Sequence, residues 1–118
     1  MSYLRKRADA FKYAFKGIYR LFRSEAHAKI HLSAAICVII AGFIFGISPF
    51  EWCAVSLCIG GVFMAEGFNT AIEKLADKVS PERDPLIGAA KDLAAGAVLM
   101  FVFGAVAVGL IIFLPRIL

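Results

Sequence analysis

Glu66, Asn69, Glu73 and Asp77 recur at intervals of three and four residues directly after a charge-free apolar run, Trp52 to Ala65. On an α-helix those intervals bring all four side chains within roughly 80° of one another, so they share one polar stripe. Phe68, Ala71, Ile72 and Leu75 keep the remaining faces apolar. An ionisable group at membrane depth costs on the order of a few kcal/mol or more, which makes such a stripe a functional site until shown otherwise. Carboxylates near Lys, Arg and Asn suit Mg²⁺ carrying a nucleotide, because Mg²⁺ is held by one or two carboxylates together with phosphate oxygens and water. Phosphoryl transfer then needs metal, cations and a group that orients or deprotonates the attacking hydroxyl. Glu66 lies deepest and is best placed to reach a hydroxyl on a lipid. Glu73, two turns nearer the surface, is better placed for metal. The chain carries no Walker-type or protein-kinase glycine loop, so any nucleotide binds by another solution.

The elements that must position this stripe are membrane helices. The chain has 118 residues, 61% of them hydrophobic, and a mean hydropathy of +0.81, too apolar for a water-soluble domain. Charge-free runs at 32–50 and 93–115 flank the middle run. With about 20 residues needed per crossing, three spans fit. The expected fold is an all-α membrane protein in one domain, 1–118, with spans at about 29–48, 51–78 and 86–115. An amphipathic surface helix over about 3–23 precedes them: Leu4, Phe11, Phe15, Ile18 and Phe22 share one face, beside a basic stripe of Arg5, Lys12, Lys16 and Arg23. That helix can anchor to anionic lipid, and its cations can also meet a charged substrate.

The first 31 residues are repeatedly charged and lack a cleavable leader pattern, so the N-terminus is expected to remain. Eight of the thirteen Lys and Arg residues precede the first span. That imbalance places the N-terminus in the cytoplasm and the C-terminus outside. Asp84 reads as the N-cap of the last helix, with Pro85 at its first position. Lys91 and Asp92 follow two turns in, at the height of Glu73. Cys37, Cys53 and Cys58 read as small apolar residues. Gly42 and Gly46 form a G-x-x-x-G pair, and Gly60 and Gly61 mark the second span. Such residues permit close helix approach in lipid. Three helices barely enclose a polar pocket, so a homo-oligomer is expected, with no nucleic-acid partner.

The run EGFNTAIEKLADKVSPERDPLIGAAKDLAAGAVL resembles the signature of the small prokaryotic integral membrane lipid kinases, the diacylglycerol kinase and undecaprenol kinase family. E-x-x-N-[ST]-A-I-E and A-K-D-x-x-[AS]-[AG]-A-V-L occur in the family's order and separation, and the likeness extends upstream through FKYAFKGI and EAHAKIHL. The resemblance implies a homotrimer in the bacterial inner membrane that moves the γ-phosphate of MgATP to a lipid alcohol, each site shared between subunits. It assigns Glu66 as general base, supported by Asn69, and gives the Mg²⁺ ligands as Glu25 and Glu73. It puts Tyr13, Asp77, Glu82, Arg83, Asp84, Lys91 and Asp92 at the nucleotide, with a basic residue among Arg5, Lys6 and Arg7, here taken as Lys6. Lipid contacts fall to Ala10, Ala14, Phe15, Lys16 and Gly17 of the surface helix and to the groove beside Glu66, with Ala95.

His31 stands where the proteobacterial diacylglycerol kinase branch has an acid, and K-I-H-L is closer to the undecaprenol kinase branch. Undecaprenol is therefore the favoured acceptor and diacylglycerol the alternative. Simpler readings stand beside these. Glu25 can cap the break between surface helix and first span, Asp77 and Lys74 can be solvated end-of-helix charges, and His27 and His31 can be ordinary interfacial residues. A small multidrug or proton-coupled transporter is a rival class, but it calls for an acid near the midplane and a fourth span. A non-catalytic assembly protein is another, and it would tolerate loss of Glu66.

Overall fold

The computed structural model describes residues 2–118, and local sequence signals explain where each of its helices begins and ends. The four helices are α1 (Tyr3–Ser24), α2 (Ala26–Phe45), α3 (Pro49–Val79) and α4 (Pro85–Ile117). Ser2 caps α1 by accepting from the Arg5 N–H at 3.2 Å. Glu25 has extended backbone, φ −102° and ψ 119°, and separates α1 from α2. The span expected to run to residue 48 stops at Phe45, because Gly46 takes the left-handed conformation at φ 61°. Only glycine adopts that geometry without steric cost. The expected G-x-x-x-G pair is thereby divided: Gly46 ends the helix, while Gly42 lies under the Trp52 ring.

The α2–α3 link is braced at once. Ser48 and Glu51 form a capping box, Ser48 Oγ accepting from the Glu51 N–H at 3.2 Å and Glu51 Oε1 accepting from the Ser48 N–H at 2.9 Å, with Pro49 in the first turn. These bonds satisfy donors that a helix start leaves orphaned. At the other end, Asp84 Oδ1 accepts from the N–H groups of Leu86 and Ile87 at 2.9 and 3.1 Å, so α4 starts at Pro85 as the sequence implies.

α2, α3 and α4 are each long and apolar enough to cross a membrane. Their packed core lies near the α2–α3 link, where Ile47, Val55 and Ile112 are buried with Val38, Trp52 and Phe113 against them. Arg116 ties the end of α4 to this corner: its two nitrogens donate to Glu51 Oε2 and Oε1 at 2.9 and 2.8 Å. Along the rest of α3 and α4, close approach depends on Gly61. A Cβ there would overlap the Phe101 ring, whereas one at Gly60 would meet open space. Large apolar side chains such as Phe43, Phe103 and Ile111 stay exposed, as hydrocarbon or a neighbouring subunit allows.

Both long helices outrun the bilayer. At about 1.5 Å per residue, Glu66 stands about 26 Å along α3 from Pro49 and Asp77 about 42 Å, against a hydrocarbon core of about 30 Å. Lys91 stands about 39 Å from Ile117 along α4 by the same measure. The polar stripe therefore straddles one membrane boundary. Gly61→Val is expected to destabilise the detergent-solubilised protein by the ~1–3 kcal/mol typical of overpacking, read as a lower thermal midpoint. Gly60→Ala is expected to leave it unchanged.

Candidate active site

Glu66 is the one buried charged residue among those described, 5% exposed. Two turns of α2 and one of α3 supply its setting. Ala28 and Ala35 are buried on α2 at three and four residues from His31, and Val62 is buried one turn before Glu66. Small side chains let the two helices approach. His31 Nε2 then comes within 3.1 Å of Glu66 Oε1. An ionised carboxylate only accepts, so the imidazole nitrogen facing it is the donor in that state.

One turn further, the Asn69 side-chain amide donates to Glu73 Oε1 at 3.3 Å. Its carbonyl oxygen, Asn69 Oδ1, is buried without a hydrogen-bond partner. Such an oxygen is costly to leave unpaired. Beyond it, Lys91 of α4 donates to Asp77 across an exposed ion pair. The four-residue stripe thus turns to three partners in sequence: α2 through Glu66, itself through Asn69 and Glu73, and α4 through Asp77.

Two expectations are corrected here. Lys91, expected at the height of Glu73, donates to Asp77 one turn further on and also interacts electrostatically with Glu73. Asp77 is exposed but not merely solvated. His31, read as an ordinary interfacial residue, is the direct partner of Glu66, whereas His27 is exposed. The helix heights agree with the pair but do not select it, since rotation must also match: His31 lies about 21 Å from Phe45 and Glu66 about 26 Å from Pro49, within one helical turn of each other.

Glu25 occupies the N-cap position of α2, but its side chain makes no capping hydrogen bond. The cap reading therefore does not consume its half-buried carboxylate. Asp84 does spend one oxygen on the α4 cap. Glu82 and Arg83 are exposed in the α3–α4 link, where the Glu82 carbonyl accepts from Ser80 Oγ at 2.8 Å. Lys6, Ala10, Tyr13, Ala14, Phe15 and Lys16 are exposed along α1, and Asp92 and Ala95 along α4. Among the described residues, neither Lys6, Tyr13 nor Glu25 hydrogen-bonds to the α3 stripe within one subunit. No group of three or more His, Cys, Asp or Glu gathers around a common point either, among the residues described.

Two cavities adjoin the stripe. A groove of about 710 Å³ runs between α1 and α3, with Gly17, Leu21, Phe22, Phe63 and Phe68 in its walls and Arg20, Thr70 and Lys74 also lining it. The Phe22 and Phe63 rings meet edge to face at 4.9 Å and join the two helices there. A smaller cavity of about 220 Å³ lies among α2, α3 and α4, bounded by His31 and by aliphatic residues such as Val38, Val62 and Val102.

The family profile described as prokaryotic diacylglycerol kinase matches residues 12–113. The undecaprenol kinase of Bacillus subtilis (strain 168) is 43% identical over 107 residues, which covers 91% of this chain and 87% of that protein. A diacylglycerol kinase of Synechocystis sp. is 33% identical over 110 residues, covering 92% of this chain and 63% of the relative. A diacylglycerol kinase of Sinorhizobium sp. is 34% identical over 93 residues, 79% of this chain and 67% of the relative.

The exposed and buried pairs should respond differently to substitution. Lys91→Ala removes a solvent-screened ion pair and is expected to leave the thermal midpoint in detergent nearly unchanged.

Proposed function

The chain belongs to the prokaryotic diacylglycerol kinase family, and we propose on that footing that it is a lipid kinase which moves the γ-phosphate of MgATP to the hydroxyl of undecaprenol. The observation that carries this reading is a buried carboxylate, Glu66, at the boundary between an apolar bundle and a polar helix extension. A lipid alcohol places its hydroxyl at that depth and its tail in the hydrocarbon. Glu66 takes the hydroxyl proton while the oxygen attacks the γ-phosphorus. The bond from that phosphorus to the β,γ-bridging oxygen breaks, and ADP leaves with the electron pair.

The donor set suits Mg²⁺. Glu73 has one oxygen uncommitted, the Glu25 carboxylate is free of capping duty, and Asn69 Oδ1 is a further unpaired hard oxygen. Two carboxylates without a closed protein cage match an ion that takes its other ligands from phosphate and water. Glu25 and Glu73 would hold the ion, and when bound it supplies neutralisation of charge across the phosphates. Lys91 and Asp92, with Glu82, Arg83 and Asp84 of the adjoining link, lie on the polar side where a nucleotide would approach. Lys6 and Tyr13 reach that side only through α1, in keeping with a site completed by a neighbouring subunit. A homotrimer supplies that neighbour and covers apolar faces a lone subunit leaves open. α1 would lie along the inner membrane surface, and the excess of Lys and Arg before α2 puts that surface in the cytoplasm, leaving the C-terminus outside.

Undecaprenol is preferred over diacylglycerol because the 43% identical relative carries that activity in its name and because K-I-H-L holds His31 in place of an acid. The arrangement does not favour a proton-coupled transporter, whose acid should lie near mid-bilayer.

Purified protein in lipid is expected to transfer radiolabelled phosphate from MgATP to a lipid alcohol, faster to undecaprenol than to diacylglycerol when both are assayed side by side. Glu66→Gln should lower kcat by about 10²- to 10⁴-fold, the usual range for a lost general base. Retained turnover would remove Glu66 from that role. Glu73→Ala should raise the Mg²⁺ or MgATP requirement more than the lipid requirement, and the reverse pattern would assign Glu73 to the acceptor.

A further inference from the structure

We propose that His31 is the positioning residue for the base: it holds Oε1 of Glu66 and thereby leaves Oε2 as the oxygen that receives the acceptor's proton. The inference rests on the reading of Glu66 as general base given above. Nothing else packed around the carboxylate competes for Oε1 among the described residues, and the 3.1 Å contact bridges two helices rather than two neighbours on one.

The ring cannot easily let go. It also borders the cavity of about 220 Å³ whose walls include Ala34, Ala35, Val38, Val62 and Val102. Turning into that space would bury an imidazole nitrogen against aliphatic carbon with no partner. Buried Ala28 and Ala35 fix the distance of α2 from α3, so the imidazole is set by backbone placement. A glutamate side chain has three rotatable bonds, and one hydrogen bond from a fixed donor removes most of that freedom. Orientation of this kind is worth large factors in rate when the reacting atoms must meet at near-contact distance.

Because His31 touches Glu66 and none of the residues placed at the nucleotide, its loss should act on turnover. His31→Leu is expected to lower kcat on the order of tenfold to a hundredfold. The same substitution should change the KM for MgATP by less than about twofold, as for an interaction used in the chemical step. His31→Gln, whose amide N–H can still reach the carboxylate, should recover most of the rate. On a Glu66→Gln background His31→Leu should add nothing, since residues that act as one unit are not additive. The pair can also be read without turnover. The chain holds two histidines, so in ¹⁵N-histidine-labelled protein in bilayers Glu66→Gln should move the His31 ring resonance and leave that of His27 in place.

A kcat for His31→Leu within about twofold of the parent would overturn the inference. So would equal losses in His31→Leu and His31→Gln, or a His31 resonance indifferent to Glu66→Gln. A parent protein inactive toward both lipid alcohols overturns the kinase reading itself. If the His31 resonance still moved in that case, the pair would be a structural link and the positioning role would fall with the kinase reading.

Discussion

A carboxylate placed where water ends must find a partner or stay neutral, and the architecture of this chain follows from where it puts Glu66. A group at that depth costs on the order of a few kcal/mol or more unless it is paired or hydrogen-bonded. The fold answers with His31 from the neighbouring helix, at 3.1 Å. That contact in turn requires α2 and α3 to run close, which explains the small residues Ala28 and Ala35 on the facing side of α2. It also requires α3 to continue past the hydrocarbon boundary, so that Asn69, Glu73 and Asp77 emerge into increasingly polar surroundings on the same stripe.

The two ends of the bundle are built for different tasks. At the α2–α3 link, the buried cluster of Ile47, Val55 and Ile112, the Ser48–Glu51 capping box and the Arg116–Glu51 pair fix all three spans to one corner. At the opposite end the helices carry charge and enclose open volume, including the groove of about 710 Å³ between α1 and α3. Sites of chemistry are drawn from the less tightly packed part of a structure, because substrates must enter and leave. The break at Glu25 belongs to the same division, since it turns α1 away from the axis of α2 and brings Phe22 against Phe63.

Much of this was legible in the residues themselves. Hydropathy located three spans, and Asp84-Pro85 announced the start of α4, because a cap and a proline act locally. The polar stripe was legible because helical periodicity fixes which side chains share a face. Pairings between helices were not, since they depend on relative height and rotation that no local pattern records. His31 therefore reads as an interfacial residue until α2 and α3 are placed together, and spacing alone does not fix which acid of the stripe Lys91 bonds. Gly46 was read as half of a packing motif, and only the left-handed turn of the backbone showed it to be a helix stop. The family resemblance, carried by motifs on α3 and α4, was readable at the same stage and agrees with the match over residues 12–113.

Together these features describe a membrane helix bundle whose polar end brings a sequestered acid, two less committed carboxylates and a lysine to one leaflet. A structure determined in a lipidic bilayer phase with a non-hydrolysable MgATP analogue and a polyprenol addresses that description most directly. The account predicts the acceptor hydroxyl within about 3.2 Å of the Glu66 carboxylate, the reach of a general base, and the metal-bound triphosphate beside Glu73. A triphosphate seated away from the α3 stripe, or a Glu66 side chain turned out toward acyl chains in the assembled protein, would contradict it.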